Sequence, residues 1–209
     1  MKREHIVGVL FFGGLWGVSE ATLGDALYRA GVPHASIPLT VIGLVILTCA
    51  RAYLPHAGMT TLIASSAMLY KFLNTPLFGC HLLGIVLTGV CYDIFFNLAG
   101  IRNKGLASVL TAYGSNASFA LIITYLVRYD HWVQGGFTKV LSHVGIDGSV
   151  VAAICFLIVP MAGRLGERAA AKTAQPFRWR SSLLAKSIAG LTAAIWLLVM
   201  APLFLNRGW

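Results

Sequence analysis

Seven apolar stretches separated by short polar connectors commit this chain of 209 residues to crossing a lipid bilayer repeatedly. They fall at 6–24, 37–54, 57–73, 80–98, 106–127, 149–165 and 187–205. Several are nearer 17 than 25 residues, the short end of what spans a hydrocarbon core of ~30 Å. Charged residues make up only 11% of the chain, against about 25% in soluble domains, too few to coat a globule in water. The expectation is one integral-membrane domain, an all-α polytopic bundle of six to seven short helices. The first stretch has no convincing small-x-small cleavage site and further spans follow it, so it reads as a retained span and not a signal peptide.

The net charge of +9 is a topology signal and not a nucleic-acid footprint, because the cations sit between apolar stretches and not along one face. With the N-terminus cytoplasmic, one side holds Lys2, Arg3, Arg51, Arg102, Lys104, Arg164, Arg168, Lys172, Arg178, Arg180 and Lys186, which is eleven. The other holds five: Arg29, Lys71, Arg128, Lys139 and Arg207. The excess favours that orientation in the cell membrane, with Trp209 at the outer interface. Outer loops then run over 25–36, 74–79 and 128–148. In the third, Trp132, Phe137, Val140, Leu141 and Val144 suit the apolar side of a lid or surface helix. The inner loop 166–186, with Arg178, Trp179 and Arg180, suits anionic headgroups. Pro55 and His56 alone join the second and third stretches, which implies a tight hairpin or a partly re-entrant segment. Cys49, Cys80, Cys91 and Cys155 show no CxxC spacing and read as small core residues.

Within the first stretch, Gly13, Gly17, Glu20 and Gly24 share a narrow stripe at about 100° per residue, with Trp16 beside them. Glycine there means that another backbone comes close, and a carboxylate there needs a partner, water or a ligand. The third stretch carries a similar face, Thr60, Ala64, Ala67 and Lys71. Glu20 and Lys71 each lie fourteen residues into their stretches, about 21 Å up, so the two can pair. Alternatively Lys71 snorkels to the headgroups and Glu20 sits near a helix end. Asn74, His81, Asp25 and His34 lie near the same outer level. An outward cavity bordered by an acid, a base, an amide and an imidazole suits a small zwitterion or anion. Asn116, near mid-membrane in the fifth stretch, needs a neighbouring helix or a ligand. The candidate binding residues are therefore Glu20, Lys71, Asn74, His81 and Asn116.

The fourth stretch has a separate polar stripe, Gly89, Asp93, Asn97 and Gly100, with Tyr92 alongside. Asp93 there either anchors a neighbouring helix through Arg51 or Arg102 or serves an ion relay. No HExxH, GxSxG or GxxxxGK[ST] pattern occurs, so no metal, cofactor, catalytic residue or nucleotide-hydrolysing machinery is expected.

Chain length, short helices and the small-residue spacing of Gly13, Gly17 and Ala21 resemble the substrate-binding membrane subunits (S components) of energy-coupling factor transporters. That resemblance covers residues 1–165. It implies capture of a vitamin-like micronutrient from outside, association with a transmembrane coupling subunit and two ATPases, gating by the first, third and fifth loops, and a coupling-subunit contact through Gly13, Gly17 and Ala21. A seventh span departs from the usual six. Two rival expectations stand beside it: an intramembrane enzyme acting on a lipid or isoprenoid through Tyr92, Asp93 and Asn97, and a stand-alone solute or ion carrier.

Overall fold

Long runs of apolar side chains, in which glycine is tolerated where helices pack closely, produce helices throughout a computed structural model that describes residues 3–73, 79–98, 101, 103–173, 190 and 194. No strand occurs among the described residues. The seventh stretch apart from 190 and 194, Asn74, Gly100, Arg102, the loop beyond 173 with Arg178 to Arg180, and Trp209 lie outside them.

The elements are α1 (Arg3–Arg29), α2 (Ser36–Tyr53), α3 (Met59–Leu69, continued by a 3-10 turn Tyr70–Leu73) and α4 (Gly79–Asp93, ending in a π turn Ile94–Leu98). After these come α5 (Lys104–Leu121, with a π turn Ile122–Leu126), the short α6 (Asp130–Val133), α7 (Gly136–Ser142, with a π turn His143–Asp147) and α8 (Gly148–Thr173). Five helical segments are long and apolar enough to cross a bilayer. The third stretch is shorter than expected, since α3 has only 11 residues before its 3-10 turn. The chain is thus a multi-pass membrane protein, and its six long-stretch helices close into a ring in the order α1, α3, α4, α5, α8, α2.

Glycine sets the tightest contacts of that ring. A Cβ on Gly17 would stand 2.3 Å from the ring of Tyr70, and one on Gly13 would stand 2.5 Å from Ser66 Oγ. On α2, Gly43 leaves the notch that receives the indole of Trp16, which is 1% exposed. The stripe on α1 therefore faces α3 of its own chain. Of the two roles expected for it, Gly13 and Gly17 perform helix packing and have no room to meet a separate subunit.

Two boundaries differ from the sequence reading. Residues 25 to 29, expected in a loop, extend α1, because nothing there breaks a helix and Asp25 pairs with Arg29 one turn on at 2.8 Å. The break comes at Gly31, where φ is +64°. The expected outer loop 128–148 is largely helical and runs through its π turn straight into α8, which itself continues to Thr173. It does cap the bundle, but not on one apolar side: Val140 is buried while Phe137 and Leu141 point away and are exposed.

Candidate functional site

A cavity of about 580 Å³ occupies the end of the ring where α1 finishes, under α6 and α7. Glu20, Lys71, His81 and Asn116 all line it. Four elements bring them there: the C-terminal half of α1, the 3-10 turn after α3, the start of α4 and the end of α5. Asn74 lies outside the described residues.

At the floor, Glu20 and Lys71 form an ion pair with Nζ to Oε2 at 3.1 Å, both side chains less than a tenth exposed. The ammonium also donates to the backbone carbonyl of Glu20 at 2.8 Å, and the Trp16 indole N–H donates to Oε1 at 3.3 Å. Gly24 makes the approach possible, since a Cβ there would lie 3.1 Å from Nζ. The glycine stripe thus does two jobs: its first half admits α3, and its last member admits a charge. A carboxylate and an ammonium this deep stabilise one another only as a hydrogen-bonded pair, and this one has those bonds.

At the rim stands a second polar group, of which the sequence reading singled out only His34. Asp147 accepts from His34 Nδ1 at 2.6 Å through one oxygen and meets His143 Nδ1 at 2.8 Å through the other. His34 comes from the α1–α2 connector, at φ +57°, and ties that connector to the base of α7. His143 and Asp147 are four apart within one π turn, and π turns recur at functional sites because they re-aim side chains. The spacing His143-x-x-x-Asp147 was available in the sequence as a signal. Asp25, placed near this level by the sequence, instead pairs with Arg29.

Rings line the walls between the two groups. Trp132 meets Phe119 edge to face with centroids 5.3 Å apart and His143 likewise at 5.1 Å. Opposite, Tyr28 and His81 pair edge to face at 5.5 Å. Lys139 on α7 places its ammonium 5.2 Å from the centre of the Trp132 ring and donates to the carbonyl of His131 at 3.0 Å. Asn116 donates one amide hydrogen to the Ala112 carbonyl at 2.8 Å, so the remaining hydrogen and the oxygen are what it has for a ligand.

The stripe on α4 lies toward the other end and is consumed by structure. Asp93 Oδ2 accepts from the Thr61 backbone N–H at 2.8 Å and from the Thr61 hydroxyl, close to the start of α3. Its Oδ1 accepts from Asn97 at 2.7 Å, and Asn97 in turn accepts from Arg51 of α2. Arg51 reaches Asp93 through Asn97 and not directly. Tyr92 donates to Thr48 at 3.0 Å. This network joins α2, α3 and α4 and leaves Asp93 no free oxygen facing a cavity. Among the described residues no group of three metal-ligating side chains could hold a metal ion. No family model, no curated protein and no solved structure matches this chain.

Proposed function

We propose that this protein captures a small polar solute from the outer side of the membrane, in the manner expected of a transport-system binding subunit. One observation carries the reading: an open-mouthed cavity at one end of a membrane bundle has a buried, hydrogen-bonded Glu20–Lys71 pair in its floor. Membrane interiors tolerate such a pair where it serves a ligand or holds helices together, and here it borders the space a ligand would fill. The bias of basic residues assigns this end to the outside. Size and a six-helix ring favour an S-component-like architecture. The coupling contact expected on Gly13 and Gly17 does not, since α3 covers them, so a coupling subunit and ATPases would need another face. Asp93 takes three hydrogen bonds from Thr61 and Asn97, which favours a helix-joining role for it over the enzyme reading.

The test is native mass spectrometry of gently purified protein, scanning for a bound metabolite and for co-purifying subunits. A stoichiometric polar metabolite is expected. The double variant Glu20→Gln/Lys71→Met removes both charges together, avoiding a lone buried charge, and should lose that metabolite while remaining folded by circular dichroism. A folded double variant that retains the metabolite in full removes the pair from the site. A wild-type chain carrying only lipid argues against solute capture.

A further inference from the structure

We infer that the ligand of this cavity is a planar aromatic or heteroaromatic ring carrying a single carboxylate, an inference that rests on the solute-capture reading above. The first argument is charge. Glu20 is matched by Lys71, and each oxygen of Asp147 meets an imidazole nitrogen. Lys139 is different: no carboxylate of the described residues lies within ion-pair distance of it, and its ammonium is held only by the His131 carbonyl and the face of Trp132. Its ammonium borders the cavity on a solvent-exposed side, and of its three hydrogens two remain available to the oxygens of an anionic acceptor. The second argument is shape. Phe119, Trp132 and His143 form one ring-lined wall and Tyr28 with His81 another, and a flat ligand gains offset-stacked or edge-to-face contact on both. The cavity is large enough for one or two fused rings with their substituents. The site then divides the work: rings hold the ring, and Lys139 selects the charge.

The experiment titrates the full chain in nanodiscs with nicotinate and 2-naphthoate, with their carboxamides, and with the matching aminomethyl compounds, by calorimetry and tryptophan fluorescence. Carboxylates should bind about tenfold or more tightly than the carboxamides and the amines, as expected for one charge-assisted contact. Lys139→Gln should erase that preference and Lys139→Arg should keep it, while Trp132→Leu should weaken all ring compounds alike. Carboxamides binding as tightly as carboxylates, amines binding more tightly, or no carboxylate binding at all each overturn the ligand class. They leave solute capture itself to the metabolite and double-variant test, which uses neither Lys139 nor these probes.

Discussion

At the scale of single residues, the decisive contact is the one between Glu20 and Lys71. Each removes the other's cost of burial, so neither can be changed alone without leaving an uncompensated group in a water-poor place. Glu20→Gln should lower stability by about 3–5 kcal/mol, the range for breaking one side of a buried pair. The double variant with Lys71→Met should recover most of that loss, because two matched apolar or neutral groups need no partner charge. Thermal unfolding in a fixed detergent checks both. Equal losses in the single and double variants would mean that the two residues are not energetically coupled. Asp93 shows the opposite use of a buried acid. Its oxygens take three donors from Thr61 and Asn97, so it joins helices.

At the scale of elements, α1 and α3 meet so closely that their spacing is set by two missing side chains. Gly17→Ala would put a methyl 2.3 Å from the Tyr70 ring and 2.9 Å from its Cβ, which the backbone must move to accommodate. Overpacking of this kind costs about 1–3 kcal/mol. Gly24→Ala meets side-chain ends, Lys71 Nζ at 3.1 Å and Leu39 Cδ1 at 3.3 Å, and should cost less stability. Measured melting temperatures should therefore fall more for Gly17→Ala than for Gly24→Ala, and the reverse order would put the tight contact elsewhere. These elements were legible in sequence to different depths. The period of Gly13, Gly17, Glu20 and Gly24 marks a face, and equal depth of Glu20 and Lys71 marks a pair, because both are helix arithmetic. Whether the partner of the face is α3 or another subunit is not, since a small-residue stripe looks the same in either case. The rim group was harder. His34 lies in a connector at positive φ and Asp147 in a π turn, and neither place follows from periodicity. The fate of residues 25–29 and of α7 shows the same limit, since hydropathy finds where a helix is apolar and not where it ends.

At the scale of the whole molecule, six described helices alternate in direction, so the side of any one end fixes the side of every other. The surface supports a bilayer around the ring: along α8, Leu157, Met161 and Leu165 are 67%, 63% and 63% exposed, a stripe that water would not tolerate. Toward the end of the same helix Arg164, Arg168 and Lys172 are exposed, which is where apolar core gives way to headgroups. The cavity opens at the opposite end, beside Arg29, whose side chain is 76% exposed. A membrane-impermeant maleimide tests which end faces out. Cys91 and Cys155 are buried, while Cys49 is half-buried beside Gly166 of α8 and Cys80 lines the cavity, so Cys49 and Cys80 must be replaced by Ser in the background chain. In that background, Arg29→Cys should label in intact cells and Lys172→Cys only after permeabilisation. The reverse pattern would turn the cavity toward the cytoplasm and overturn capture from outside. It would leave the fold, the ion pair and the rim group untouched, because these depend on how the helices pack against one another and not on which side of the membrane they face.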